Sequence, residues 1–342
     1  MRIDVERRSE DMVSSSGLGQ FAPTPLRPLA IADSPVSIAV LIPCFNEALT
    51  IGPVVTAFKK ALPEATIYVY DNNSTDDTLA AAMAAGAVVR TETRQGKGNV
   101  VRRMFADIEA DVFVLADGDG TYEAAAAPRL VEKLLRDGLD LVNGARIATG
   151  LQAYRPGHQF GNRLLTNIVR MIFGRQFNDM LSGYKVLSRR FVKSFPAMSN
   201  GFETETELAV HALELRLACA EVDTGYGKRP HGSSSKLRTF SDGARILLLI
   251  ARLVKEERPI QFFGLIGLLL VGLALGLGLP VVFEFLQTGL VPRLPSAVLS
   301  AALVILGVLT LFTGLVLEMI TRTRQELKRL IYLSLSKAAP RG

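Results

Sequence analysis

The 342-residue sequence predicts an α/β domain with a mostly parallel sheet, followed by an amphipathic helix and two membrane-crossing helices. Three observations predict it. Strand-length apolar runs alternate with helix-length segments from residue 37 to about residue 143, as in a parallel sheet covered on both faces. Each run ends in polar residues instead of a neutral turn. Two uncharged stretches downstream, Ile260–Phe283 and Pro295–Leu317, are long enough to cross a hydrocarbon core of about 30 Å.

Residues 1–35 are polar, carry Ser14-Ser15-Ser16 and lack the apolar stretch of a signal peptide. They are expected to be a disordered tail ahead of a cytoplasmic domain spanning 36–240. The first strand is expected at Ser37–Ile42 and its helix at Asn46–Leu62. A second pair follows at Thr66–Tyr70 and Thr75–Ala85, then a third at Ala87–Arg90 and Gly98–Ile108. The fourth strand is the apolar run 112–116, and Pro128 begins its helix, patterned Leu130, Val131, Leu134, Leu135. Leu139–Asn143 reads as a fifth strand.

The fourth strand stops in Asp117-Gly118-Asp119-Gly120. Paired carboxylates on a glycine-rich turn, beyond the carboxyl end of a strand, stand where open α/β sheets bind ligands. They suit a hard cation, and such a cation suits a diphosphate. The other strand ends carry similar chemistry: Pro43-Cys44-Phe45-Asn46-Glu47, Asp71-Asn72-Asn73-Ser74-Thr75-Asp76 and Gln95-Gly96-Lys97-Gly98. Asn46, Ser74 or Thr75 alone would serve as a helix cap. Four such ends together line one crevice.

Composition narrows the partners. With 39 Lys and Arg against 33 Asp and Glu, the net charge is +6, and there is no Trp. No basic stripe interleaved with aromatics is present, so nucleic acid is not expected. An anionic membrane surface or a phosphorylated substrate is. Cys44 and Cys219 make neither a disulfide framework nor a metal site, and fit a reducing compartment.

Beyond the fifth strand, Arg146, Arg155, His158, Arg163, Arg170 and Arg175 cluster, with Arg163 and Arg170 spaced to share a helical face. Gly201–Glu207 opens a helix through Leu217; its acids are explained by the helix dipole, which leaves catalysis by Glu203 or Glu205 open. His211 inside it reads as packed or surface. Gly225–Leu237 has the composition of a basic loop. Segment 241–258 carries an amphipathic juxtamembrane helix, with Arg245, Arg252 and Lys255 beside a long apolar face. The spans occupy 259–320, and a basic tail follows at 321–342. Lys and Arg flank both outer ends, so both termini and the soluble domain are expected in the cytoplasm, at an inner (plasma) membrane. Gly264, Gly267, Gly272 and Gly276 permit close helix packing within or between chains, which leaves a homo-oligomer open.

The motifs IPCFNE (42–47), YDNNSTDDT (70–78), RQGKGN (94–99), ADGDGTY (116–122), NGAR (143–146), SGYKVLSRR (182–190) and SSSKL (233–237) resemble, in this order and spacing, glycosyltransferase family 2. The similarity is to its branch of dolichol-phosphate mannose synthases and bacterial polyprenyl-phosphate glycosyltransferases, over about residues 37–240 and more loosely the two spans.

That resemblance implies a GT-A (Rossmann-like) fold and an inverting transfer of a sugar from a nucleotide sugar to a polyprenyl phosphate, for cell-envelope glycan or lipid modification. A UDP-sugar is favoured, with GDP-mannose as the other donor, and the cofactor is Mg2+ or Mn2+. Pro43, Phe45, Glu47, Asp71, Asn72, Gly96, Lys97, Asp117 and Lys236 match the nucleotide-sugar site, and Asp117 and Asp119 the D-x-D that engages metal and diphosphate. Arg146, Arg163, Ser182, Lys185 and Arg189 match the region that receives the acceptor phosphate. Asp117, Asp119, Arg146 and Arg163 are thus the expected catalytic set. Asn72 stands where relatives often have a second aspartate, and Thr121 where they often have a Gln metal contact. Without Trp the processive Q-x-x-R-W element is absent, which argues against polysaccharide synthesis. Two other classes remain open: a sugar nucleotidyltransferase, and a catalytically decayed membrane scaffold or lipid-transport partner.

Overall fold

Alternate residues of the first strand enter different apolar clusters: Ala39 and Leu41 one, Val40 and Ile42 the other. The fourth strand does the same, with Phe113 and Leu115 against Val112 and Val114. A strand buried on both faces needs no polar alternation, which is why these runs are continuously apolar.

The computed structural model describes residues 36–148, 177–198, 201, 203–227, 252 and 255–335, all within one unit, Pro35–Gly342. The expected N-terminal tail, Arg163, Lys236, the 225–237 loop beyond residue 227 and most of the amphipathic helix lie outside the described residues. The elements are β1 (Ile38–Cys44), α1 (Ala48–Ala61), β2 (Thr66–Asp71), α2 (Thr78–Ala84), β3 (Val88–Thr91), α3 (Lys97–Asp107) and β4 (Val112–Leu115). Then come α4 (Ala127–Arg136), β5 (Leu141–Ala148), β6 (Lys185–Ser188), α5 (Arg189–Ser194), α6 (Thr204–Glu214), β7 (Cys219–Tyr226), α7 (Pro259–Thr288) and α8 (Leu294–Ser334).

The seven strands form one sheet in the order β3-β2-β1-β4-β6-β5-β7. All neighbours are parallel except β6, which runs antiparallel to β4 and β5. This is a GT-A-like mixed sheet. The chain builds outward from β1 to β3 and then crosses back to β4. The carboxyl ends of β1 and β4 therefore flank the point where strand order reverses, and a crevice opens there.

Helices cover both faces through stripes at helical spacing. Ile51, Val54, Val55 and Phe58 of α1 join one cluster, and Val100, Val101, Met104 and Phe105 of α3 the other. Helix α2 starts at Thr78, later than the expected Thr75. Asn46, Ser74 and Thr75, readable as caps, instead lock two loops: Asn46 N–H donates to Ser74 Oγ at 2.8 Å and Thr75 N–H to Asn46 Oδ1 at 2.8 Å.

Helices α7 and α8 hold 30 and 41 residues, with mean hydropathy of 2.6 and 2.4 over their most apolar windows. Large apolar side chains such as Leu268, Phe283 and Phe312 are exposed along them. They are two candidate transmembrane helices, not buried core helices. They touch where glycines allow: a Cβ on Gly267 would lie 2.9 Å from Gly307 O, whereas Gly264, Gly272 and Gly276 have nothing within 4 Å. The segment expected as a basic tail from 321 continues α8 as helix to Ser334.

Candidate functional site

At the carboxyl edge of the sheet, register sets the candidates side by side. Cys44 lies beside Asp71 and Leu41 beside Leu115, so Asp71 and Asp117 leave the sheet two strands apart, about 10 Å. Pro43, Phe45 and Glu47 end β1, Gly96 and Lys97 open α3, and Ser182 and Lys185 lead into β6. Arg146 is near the end of β5. Because β6 is antiparallel, its start joins the carboxyl ends of its neighbours.

The D-x-D turn is held from several sides. Thr50 Oγ1 donates to Gly118 O at 2.7 Å, and a Cβ on Gly118 would lie 2.5 Å from Cys44 Sγ. Asp119 is buried, and its Oδ1 accepts from Thr121 N–H at 3.1 Å and Thr121 Oγ1 at 2.6 Å. Thr121 therefore orients Asp119. Asp117 Oδ1 accepts from Lys97 Nζ at 2.5 Å, and the same ammonium bonds the carboxylate of Glu205 at the start of α6. Burial lowers the Lys97 pKa, but Asp117 and Glu205 outweigh it and hold the amine protonated above the ordinary lysine value. Glu205 was open in the sequence; its partner is now defined.

On the other side of Asp117, Gly183 packs so closely that a Cβ would lie 2.6 Å from Asp117 Oδ2. Gly183 N–H donates to Tyr122 Oη at 2.7 Å. Burial, then the Asp117 charge, raises the Tyr122 pKa, so its phenol stays neutral. Gly183→Ala is expected to displace Asp117 and to lower kcat roughly ten-fold, while circular dichroism stays native. A wild-type kcat would show that the carboxylate tolerates displacement.

The site fits a divalent cation of the hard, oxygen-seeking kind. Asp117 and Asp119, with one residue between them, stand beyond the carboxyl end of β4, and among the described residues no cluster of three or more His, Cys, Asp or Glu offers a complete protein cage. Mg2+ and its relatives commonly take one or two carboxylates and complete their shell with substrate phosphate and water.

Nucleotide candidates divide in two. Asp71 is buried, with Oδ2 accepting from Ser74 N–H at 3.0 Å and Oδ1 lacking a partner among the described residues. Such an oxygen waits for a donor, as leaving it unpaired costs about 1–3 kcal/mol. Asn72, expected at the nucleotide, is instead committed to the next loop. Its amide donates to Glu92 O at 2.9 Å and Arg94 O at 2.8 Å, while its Oδ1 accepts from Gly96 N–H at 2.7 Å. It thereby braces the turn that launches Lys97.

The acceptor candidates are revised more strongly. Arg146 and Asp179 form a two-bond pair, Nε to Oδ2 at 2.7 Å and Nη2 to Oδ1 at 2.8 Å, with the guanidinium 5.5 Å from the Tyr226 ring. Ser182 and Lys185 are buried: Ser182 Oγ donates to Gly144 O, and Lys185 Nζ to Asn143 Oδ1 at 2.7 Å. Burial lowers the Lys185 pKa to about 8. Both side chains are packed into the wall of the site, with their polar atoms bonded to β5. Arg189 is at the other end of the sheet, beside Glu109 at 3.1 Å. The register explains it: Lys185 pairs with Leu115 at the carboxyl end of β4, whereas Ser188 pairs with Val112 at the amino end.

Comparison with known proteins gives three kinds of match. The Glycosyl transferase family 2 model matches residues 39–194. Glycosyltransferase AglJ of Haloferax volcanii is 34% identical over 304 residues, covering 87% of this chain and 98% of AglJ. A dolichyl-phosphate hexose transferase of the same organism is 27% identical over 221 residues, 65% of this chain and 95% of its own. Among solved structures, glucosyl-3-phosphoglycerate synthase from Mycobacterium tuberculosis in complex with Mn2+ and UDP-glucose superposes with a TM-score of 0.52 at 28% identity. That match covers 64% of this chain and 78% of the synthase.

Proposed function

The chain belongs to glycosyltransferase family 2, and from that premise we propose that it transfers a sugar from a nucleoside diphosphate sugar to a polyprenyl phosphate. A UDP-sugar is the favoured donor, in keeping with the UDP-glucose held by the synthase neighbour; GDP-mannose is the other candidate. Membership sets aside the nucleotidyltransferase and the decayed scaffold. The observation that carries the acceptor is the joining of a D-x-D crevice to two candidate transmembrane helices in one chain. A relative named for dolichyl-phosphate hexose transfer is consistent with it.

An acceptor phosphate monoester has a second pKa near 6 and is largely dianionic at neutral pH. Its oxygen can attack the anomeric carbon without a strong base. The bond from that carbon to the diphosphate oxygen breaks, the nucleoside diphosphate leaves with the electron pair, and in-line attack inverts the configuration. The residues have to hold two anions close together and orient them. Asp71 takes a donor group of the base through Oδ1. Asp179 fixes the guanidinium of Arg146, which, with Arg163 outside the described residues, receives the acceptor phosphate. Lys97 stands at the diphosphate, and Lys236, also outside the described residues, is assigned to the same group. Asp117 and Asp119 would hold Mg2+ or Mn2+, which neutralises charge growing on the leaving diphosphate. The Lys and Arg that flank the spans support, by the positive-inside rule, a cytoplasmic side for the catalytic domain and both termini.

A transfer assay tests the reading. Purified protein with polyprenyl phosphate and Mn2+ or Mg2+ is presented with a panel of UDP- and GDP-sugars. One donor is expected to yield a glycolipid, with nucleoside diphosphate released only when the lipid is present. Donor hydrolysis without glycolipid would overturn the acceptor.

A further inference from the structure

Helix α8 continues as one helix beyond its apolar span, and one face of the continuation runs down the side of the catalytic domain. Thr321 Oγ1 donates to Glu256 O at 3.1 Å, and Arg324 Nη2 pairs with Glu257 at 2.5 Å. One turn on, Lys328 Nζ pairs with Glu214 at 2.7 Å, and Arg329 Nη1 donates to Leu215 O at 2.7 Å. Another turn on, Tyr332 Oη donates to Asp140 Oδ2 at 2.7 Å, with Arg190 stacked 4.5 Å from its ring. Glu214 and Asp140 are nearly inaccessible to water, and Tyr332 is only 6% exposed. These are embedded contacts, unlike solvated surface pairs.

Their placement sets an orientation. From Thr321 to Tyr332 the helix advances about 17 Å away from the apolar span. The last contact, Asp140, precedes the amino end of β5, and β5 is parallel to β4, whose carboxyl end carries Asp117 and Asp119. The far end of α8 thus packs at the edge of the sheet opposite the crevice. The intermediate contact, Glu214, ends α6; the same helix begins with Thr204 and Glu205, and Glu205 holds Lys97 in the crevice.

We propose that the 321–334 extension of α8 is a strut that fixes the crevice against the membrane surface, with Lys328 and Tyr332 as positioning residues for the lipid acceptor. It rests on the polyprenyl phosphate reading above. A lipid phosphate is confined to one plane, so the crevice must be held at one height and tilt for the reacting atoms to meet. An acceptor free in solution imposes no such demand.

The test is the full-length variant Lys328→Ala with Tyr332→Phe, in vesicles carrying long-chain polyprenyl phosphate and, separately, with a water-soluble short-chain prenyl phosphate. The apparent KM for the vesicle acceptor is expected to rise about ten-fold or more, with the donor KM and the short-chain kcat within about two-fold of wild type. Equal losses on both acceptors would make the segment a general stabiliser and overturn the strut, as would no loss on either. The swap of Lys328→Glu with Glu214→Lys is expected to recover vesicle activity relative to Lys328→Glu alone.

A readout that needs no turnover separates failure of the strut from failure of the functional reading. A fluorophore on Leu49→Cys, an exposed position in the first turn of α1 at the crevice rim, is expected to be quenched by a headgroup-located quencher in wild type and less so in the double variant. Equal quenching in both would overturn the strut even if no donor or acceptor were turned over. Inactive wild type with the expected quenching would remove the acceptor assignment and leave the orientation standing.

Discussion

Asp119→Asn is expected to lower metal-dependent transfer about a thousand-fold with little change in thermal stability. The two effects separate because of how Asp119 is held. Its Oδ1 accepts from the Thr121 amide and hydroxyl, and an asparagine carbonyl oxygen at that position satisfies both donors. Both bonds to Thr121 are therefore kept. What changes is the other atom, which becomes an amide NH2 with hydrogens in place of a lone pair, and the negative charge, which disappears. Neither suits a divalent cation with hard oxygen ligands. The measurement is transfer rate against Mn2+ and Mg2+ concentration, with Tm as the control for folding. A metal dependence equal to wild type would remove Asp119 from the metal-holding pair and shift that role to Asp117 alone.

How much of this was legible in the sequence depends on whether the signal was local. The strands β1, β2 and β4 announce themselves because burial on both faces demands unbroken apolar runs, and the D-x-D stands out because glycines surround it. Strand β6 is not legible in that way. Only Val186 and Leu187 of its four residues are aliphatic, and its place between β4 and β5 is set by partners more than forty positions away. Strand β7 was missed for a related reason: Glu221 and Asp223 interrupt its apolar character, although Glu221 is needed to accept from Asn178 N–H at 2.9 Å and Asn143 Nδ2 at 3.0 Å.

Missing β6 explains the misplaced arginine. The motif SGYKVLSRR reads in sequence as one stretch near the acceptor, but an extended strand carries its two ends to opposite edges of the sheet. Gly183 and Lys185 stay at the crevice and Arg189 leaves it. The Arg146 partner was likewise hidden. Asp179 lies thirty-three residues away, and only the pairing of β5 with β6 brings the segment before β6 back to the end of β5. Glu205 had a sufficient local explanation as a helix-start acid, so nothing in its neighbourhood pointed to Lys97. The acidic segment at the start of α6 is visible in the sequence; which of its acids meets Lys97 is set by the tertiary structure.

Lys97→Met is the second large effect, and its partner variant tells chemistry from scaffolding. The Lys97 ammonium is 11% exposed and joins Asp117 to Glu205, itself 7% exposed at the side chain. Methionine keeps most of the length and removes the charge. Glu205 is then buried without a cation, a change of the kind that costs about 3–5 kcal/mol in stability. Transfer is expected to fall about a hundred-fold or more, since the diphosphate loses a cation and Asp117 loses its anchor. Adding Glu205→Gln removes the orphaned charge, so the double variant is expected to recover most of the lost Tm. It is not expected to recover kcat, because no cation has returned to the diphosphate. Thermal unfolding and steady-state kinetics on the two variants read these outcomes separately. Recovery of both Tm and kcat would make Lys97 a counter-ion that merely keeps Glu205 in the fold. Recovery of Tm alone places the lysine in the chemistry and makes Glu205 the residue that aims it.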